Sequence, residues 1–547
     1  MEIQTIKKLE EEAIKKSGTD FTRLGISLFF MIAVLTFSFL NNGGVPNNMF
    51  LAVATLIGAY MAMNIGANDV ANNVGPAVGS KAMTMTLAII IAAVFEASGA
   101  LIAGGEVVKT IKKDIIDISA FGANSDPFIW AMMAALLAAA VWLNLATVLK
   151  APVSTTHSIV GGVMGAGIAA AGFSIVSWTT MAKIVASWII SPVLGGLIAA
   201  VFLFSIKKTI VFKTDKVFAA KRYVPIYVAI MTWAFVTYLT LKGLKKIWPN
   251  VVEILNYLPL INMEMSKKPS LLTALIIGAI IATFVYIIIK NKFRKNSDKI
   301  QNSRESVNQL FTFPLIFAAA LLSFAHGAND VANAIGPLAA INDAVINGGI
   351  SSKANIPLWV MAVGAAGIAL GLALYGPKLI KTVGSEITEL DQVRAFSIAM
   401  AASITVIIAS QLGLPVSSTH IAIGGVFGVG FLREYLQIND DSTLEEDKLF
   451  IQDEKHTLQA YKSELYKLDI KKDKSVTEYD RVVELYKLIA NEEKLIKSTK
   501  KHIKEVKRVK YVKRDAIKKI VAAWIITVPM AAIMAALLFF MIRGIMV

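Results

Sequence analysis

GANDVANNVGP, residues Gly66–Pro76, closes an apolar run and places one Asp and three Asn where a membrane helix would carry hydrocarbon. The chain writes nearly the same phrase again, GANDVANAIGP, from Gly327 to Pro337. A carboxylate inside a spanning segment costs roughly 2.5–3.5 kcal/mol on insertion scales, so an Asp there is a functional-site hypothesis from the outset. The cost is carried twice, at Asp69 and Asp330.

The repetition extends beyond one phrase. GALIAG (Gly99–Gly104) is echoed by GLALYG (Gly371–Gly376), and PVSTTH (Pro152–His157) by PVSSTH (Pro415–His420). Gly327 follows Gly66 by 261 residues, Pro415 follows Pro152 by 263, and Gly371 follows Gly99 by 272. The three pairs keep one order, so a whole unit is duplicated.

Composition says what kind of unit it is. Of 547 residues, 55% are hydrophobic, and the mean hydropathy is +0.61. Apolar runs such as Met83–Ala103, Phe128–Leu149 and Ile520–Ile542 exceed the roughly 18 residues that mark spanning helices. Thirteen apolar segments can be counted, among them 154–173 and 417–432. The net charge of +16 does not point to nucleic acid, because Lys and Arg gather in the tails and in loops at 207–222 and 290–304, as they do on the cytoplasmic side of membrane proteins. With no cysteine there is neither a disulfide nor a thiolate metal site. The first 24 residues are polar and run directly into an apolar span, which is expected to act as the insertion signal.

These readings give an all-α polytopic protein of the cytoplasmic (inner) membrane, with the lipid bilayer as its first partner. Its expected parts are a cytoplasmic segment 1–24, a first membrane repeat 25–205, connecting spans 206–304, a second repeat 305–432, a cytoplasmic insert 433–515 and a final helix 516–547. In the insert, Leu458, Tyr461, Leu465 and Leu468 are spaced 3-4-3, and a second series includes Val482, Leu485 and Leu488. That pattern predicts two amphipathic helices with a turn near Lys471–Lys474. Self-association is left open.

Taking the basic loops as cytoplasmic, seven segments follow the first GAND phrase up to and including the one that ends at the second, so the second copy is inverted. If the chain around Pro152 and Pro415 forms re-entrant hairpins, crossings are lost in pairs and the inversion stands. An inverted-topology repeat with broken helices or re-entrant hairpins is the pattern of secondary transporters, with a site near the bilayer midplane.

Each motif has a chemical reading. A broken helix at GAND would expose carbonyls beside an Asp, hard oxygen donors suited to Na⁺ or H⁺, with Asn72 and Asn333 three residues on along the same helical face. Neither His157 nor His420 lies in these turns, and the oxygen-rich set favours Na⁺. The plainer alternative is that Asp69 and Asp330 cap helices starting at Val70 and Val331. In PVS(T/S)TH, the residue before proline, Ala151 or Leu414, should close one helix and the hydroxyls should open the next. Helix N-termini with flanking hydroxyls make anion sites, here built twice; or the hydroxyls only cap their own helix.

Glu96, His157 and His420 are secondary candidates. Glu96 aligns with Ile368 in the second copy, which suggests an asymmetric role. Ser154 and His157 lack a third orienting group for hydrolysis, and no GxxxxGK[ST] loop is present to drive a pump, so no enzyme is expected. The reading to this point is an ion-coupled anion transporter.

The doubled GANDVAN and PVS(T/S)TH phrases resemble the inorganic phosphate transporter (PiT) family of cation-coupled symporters, over roughly 25–205 and 305–432. The resemblance, and only it, names inorganic phosphate, carried inward around one central site, with no cofactor beyond the coupling ion. It implies that Ser154, Thr155, Thr156, Ser417, Ser418 and Thr419 contact phosphate. It likewise implies that Asn68, Asp69, Asn329 and Asp330 help hold Na⁺, joined on the face argument by Asn72 and Asn333. Proton coupling, and sulfate or another oxyanion as substrate, are the alternatives. The insert after the second PVSSTH has no role that the family can lend it.

Overall fold

A computed structural model describes residues 2–46, 48–122, 125–149, 151, 153–245, 247–257, 266–295, 301–347, 356–385, 390–440, 442–506 and 514–547. The described chain is helical throughout, with one isolated bridge between Ile116 and Val176. Two compact units are present: Met1–Val429 with Arg514–Val547, and Gly430–Lys513.

The first unit begins with α1 (Glu2–Asn41), α2 (Asn48–Asn68), α3 (Ala71–Gly79), α4 (Met85–Ala103) and α5 (Gly105–Lys113). It continues with α6 (Asp126–Val148), α7 (Thr155–Ala171) and α8 (Trp178–Ile206). Connecting helices are α9 (Lys216–Tyr238), α10 (Trp248–Asn256), α11 (Leu271–Lys295) and α12 (Arg304–Leu310). The second copy brings α13 (Thr312–Asn347), α14 (Leu358–Ser385), α15 (Gln392–Gln411) and α16 (Ser418–Asp440). Then come α17 (Ser442–Asp469), α18 (Val476–Val506) and α19 (Arg514–Met546).

Eleven helical stretches among the described residues are long and apolar enough to cross a bilayer, two fewer than the apolar runs suggest. The two that fall out are α7 and α16, each the second arm of a hairpin. Ala151 N bonds Ala146 O at 2.9 Å at one tip and Leu414 N bonds Ala409 O at 3.0 Å at the other. Gly162 then lies against Ala135 and Gly425 against Ile398, so each pair of arms runs back to back.

The copies clasp each other. α2 packs along α14, and α13 along α4. Both contacts depend on a glycine, because helices of this kind approach closely only where side chains are small. A Cβ on Gly66 would run into the carbonyl of Ile368, and one on Gly327 into the carbonyl of Glu96. α19 completes this reciprocity. It packs on α7 through Gly161 against Val528 and Gly165 against Ala532. α8 packs on α16 in the same register, through Gly424 against Pro192 and Gly428 against Gly196. The final helix is therefore to the second copy what α8 is to the first, and the chain from 430 to 513 stands where the first copy has the short link Gly172–Ser177.

The GAND phrases depart from expectation. At the first, α2 stops at Asn68 and the chain tightens, with Asn72 N on Asp69 O at 3.1 Å and Asn73 N on Val70 O at 3.0 Å. Val70 precedes α3 in helical geometry with no side-chain cap. At the second, α13 runs unbroken through Asn329 and Asp330. Neither Asp caps a helix, and the second phrase has no unwound turn. Buried backbone groups with no water to meet them are cheapest left in helical bonds; the carboxylates are engaged by other elements.

In the second unit α17 and α18 flank a turn at 470–475, with Leu485 and Ile496 buried. Lys462 pairs with Glu493 at 2.6 Å and Arg481 with Glu464 at 2.9 Å between the two helices.

Candidate functional site

The hairpin tips deliver α7 and α16 with their first turns facing the GAND helices. Ser154 caps α7, its Oγ accepting from His157 N at 3.1 Å, and Ser417 does the same for His420 N at 3.2 Å. These two serines thus follow the capping alternative. The next two hydroxyls of each motif do not.

Thr155 Oγ1 donates to Asp69 Oδ2 at 2.7 Å and lies 3.3 Å from Asp330 Oδ2. Its counterpart Ser418 donates to Asp330 Oδ2 at 3.2 Å. The third hydroxyls meet the opposite copy. Asn72 Nδ2 donates to Thr419 Oγ1 at 2.9 Å, and Asn333 Nδ2 to Thr156 Oγ1 at 3.1 Å. Thr419 also contacts Asp69 Oδ1, and Thr156 donates to Val416 O at 2.9 Å. Asn68 Nδ2 ties to Thr147 Oγ1 at 3.0 Å and Ala151 O at 3.2 Å; Asn329 Nδ2 ties to Ser410 Oγ at 3.0 Å and Leu414 O at 3.3 Å. All twelve residues expected at the site are buried, and eight of them (Asp69, Asn72, Thr155, Thr156, Asp330, Asn333, Ser418 and Thr419) join in one hydrogen-bonded network built by both copies, while Asn68, Asn329, Ser154 and Ser417 bond to the hairpins around it.

The direction of these bonds leaves a pattern. The amide nitrogens all donate, while Asn72 Oδ1, Asn329 Oδ1, Asn333 Oδ1 and Asp330 Oδ1 are buried with no hydrogen-bond partner among the described residues. Buried oxygens without donors are costly unless something positive meets them. One ligating atom each of Asp69, His326 and Asp330 lies within 4.8 Å of the others, so the two carboxylates share one small space. Two carboxylates so close repel unless a cation or proton lies with them.

His326 and Asn73 were not singled out in the sequence. His326 Nδ1 meets Glu96 Oε2 at 2.7 Å and Nε2 lies 3.1 Å from Asp330 Oδ2, while Asn73 Nδ2 donates to Glu96 Oε1 at 2.7 Å. The signal was there: His326 stands four residues before Asp330, hence one turn away on the same face. Glu96 thus joins the network. His157 and His420 instead face each other, ring centroids 4.4 Å apart, with Trp188 against the first and Trp524 against the second at 3.8 and 3.5 Å.

A cavity of about 1020 Å³, bounded by α1, α2, α6 and α14, comes up beside the site at Ala67 and Thr147. Arg23, Tyr60, Asn64, Asn144 and Lys378 line it, and Thr147 joins it to Asn68. Within it Asn144 Nδ2 donates to Asn64 Oδ1 at 3.3 Å.

Comparisons with known proteins converge on one family. The pattern of PHO4, the phosphate transporter family, matches residues 65–535. A protein of Helicobacter pylori J99, provisionally named phosphate permease, is 49% identical over 98% of both chains. One from Thermococcus kodakarensis with the same provisional name is 38% identical over 72% of this chain and 91% of its own length. A solved structure of a sodium-dependent phosphate transporter superposes with a TM-score of 0.67 at 29% identity, over 91% of this chain and 99% of that one.

Proposed function

Because the chain belongs to the phosphate transporter family, we propose that it carries inorganic phosphate inward by Na⁺ symport, alternating access around the site shared by its two inverted copies. The observation that carries the coupling is the set of donor-less buried oxygens on Asn72, Asn329, Asn333 and Asp330 beside the paired carboxylates. Oxygen donors with no proton to offer suit a hard cation such as Na⁺. The hydroxyls of Thr155, Thr156, Ser418 and Thr419, held on two helix N-termini, suit the phosphate oxygens. Each hydroxyl is now bonded to a carboxylate, a carbonyl or an amide of the ion set. Binding of anion and cation would therefore rearrange one shared network, which is what coupling requires.

Proton coupling is the second reading, favoured by one feature: Glu96, His326 and Asp330 form a line of titratable groups with contacts of 2.7 and 3.1 Å. A proton held on that line would do for Asp330 what a cation does. Uptake of radiolabelled phosphate into proteoliposomes, under a Na⁺ gradient and then a proton gradient, separates the two. Accumulation under the Na⁺ gradient alone supports the symport proposed; accumulation under the proton gradient alone replaces Na⁺ by H⁺. No accumulation under either, from folded protein, overturns the transport reading.

A further inference from the structure

The two copies are alike at the site and unlike in what flanks it. The cavity is lined in part by Met63, Ala67, Asn144 and Tyr375. At the repeat offsets of 261, 261, 263 and 272 these positions correspond to Phe324, Ala328, Ile407 and Ala103. Those four lie together in one apolar cluster with Tyr238, Phe235 and Leu239 of the α9 region. Phe324 is clasped edge-on by Phe235 at 5.3 Å and Tyr238 at 6.3 Å between ring centroids. Where one copy has an open cavity carrying Arg23, Asn64, Asn144 and Lys378, the other has a packed aromatic plug at the matching place.

The plug abuts the site as closely as the cavity does. Ala328 precedes Asn329, as Ala67 precedes Asn68. α9 ends at Tyr238 and passes at once into a π-helical turn, Leu239–Gly243, a feature that often marks a point of bending. The cavity carries Arg23 and Lys378, and such residues at the end of spanning helices mark the cytoplasmic side. By the inversion, the plug then lies toward the outside.

We propose that the cluster of Phe324, Tyr238, Phe235 and Ile407 is the closed outer gate of this transporter. In the alternate state it opens into a cavity equivalent to that beside α1, while Met63, Ala67, Asn144 and Tyr375 close over the site. The inference rests on the alternating-access reading but not on the identity of the transported anion. An exchange of open and packed arrangements between matching halves is how an inverted repeat reaches its second state.

The absence of cysteine makes the test direct, since an introduced thiol is the only one in the chain. Ala67→Cys and Ala328→Cys would be made in the full-length protein in sided vesicles, and labelled with a membrane-impermeant maleimide. Without Na⁺, Ala67→Cys is expected to react from the cytoplasmic face at least tenfold faster than Ala328→Cys reacts from either face. Raising external Na⁺ should move the two rates in opposite directions, with Ala328→Cys reacting only from outside. Adding Phe324→Ala to Ala328→Cys should speed its external labelling about tenfold even without Na⁺. Rates that rise together, labelling of Ala328→Cys from the cytoplasmic face, or no response to Phe324→Ala would each overturn the gate. Opposed rates that phosphate does not alter would leave the gate standing and count against phosphate as the substrate.

Discussion

The two GAND helices hold the same side chains in the same hydrogen-bonding roles on different backbones. In the first copy α2 stops at Asn68 and the chain tightens before α3; in the second α13 passes straight through. Yet Asn68 and Asn329 bind matching partners, and Asp69 and Asp330 both receive hydroxyls from the hairpin tips. A helix break is therefore not what gathers these side chains; the tips of the α6–α7 and α15–α16 hairpins are. The copies diverge one layer further out. Behind Asp330 stand His326 and Glu96, where the matching positions of the other copy are Ile65 and Ile368. His326 meets Asp330 directly at 3.1 Å, whereas Asp69 only shares the same small space with it.

The largest effects should come from the carboxylates themselves. Asp69→Asn and Asp330→Asn are each expected to lower phosphate uptake roughly 100-fold, since truncating a buried, hydrogen-bonded charge costs upward of 2–5 kcal/mol. Detergent-solubilised protein should remain folded by size-exclusion chromatography. If the halves differ as argued, Asp330→Asn should change how uptake responds to pH more than Asp69→Asn does, because Asp330 is the carboxylate in direct contact with His326. Identical pH profiles for the two variants would remove the functional meaning of the asymmetry.

Glu96→Gln comes next, at roughly tenfold in uptake, since it weakens a charge-assisted bond to His326 worth about 1.5–3 kcal/mol. Its counterpart Ile368→Val removes one methylene and should cost uptake less than about threefold. Equal losses would mean that Glu96 serves only packing. The hairpin tips sharpen the comparison further. Thr155 reaches both carboxylates, whereas Ser418 reaches Asp330 alone. Under the Na⁺ symport proposed, Thr155→Ala should thus weaken Na⁺ activation about tenfold, and Ser418→Ala nearer threefold, for bonds of this kind.

Much of this was legible in the chain. Two nearly identical polar phrases at intramembrane positions pointed to where the buried polar side chains gather, because an Asp in an apolar run has few plain explanations. The doubled proline motifs located the hairpin tips, because a proline restricts the residue before it. The backbone at GAND was misjudged for a physical reason: side-chain chemistry marks where polar groups must gather, but helical bonds persist wherever no water competes for them. His326 is harder to read from sequence because it stands outside the repeated phrase, one turn before Asp330, and its counterpart in the first copy is Ile65. The role of α19 could not be read from order alone, since 84 residues of the second unit separate it from α16's buried half. Only packing, glycine against backbone, assigns it to the second copy.

The mildest contrast lies in that second unit, which the first copy lacks. Glu478, near the start of α18, receives Lys471 Nζ at 2.6 Å and Ser475 N at 2.8 Å, and these hold its carboxyl down at about 2. A carboxyl held below its ordinary value supports the folded turn above that value and withdraws the support as pH falls toward 2. Near neutral pH, Glu478→Gln should speed amide exchange around 470–480 by less than about fivefold, as befits an exposed pair screened by water. It should leave exchange at the GAND helices unchanged. The difference between variant and parent should shrink below pH 4 as the parent's own carboxyl begins to take up protons. Faster exchange at Asn329 or Asn333 in this variant would show instead that the hairpin is coupled to the site, and that the two copies differ in regulation as well as in ion chemistry.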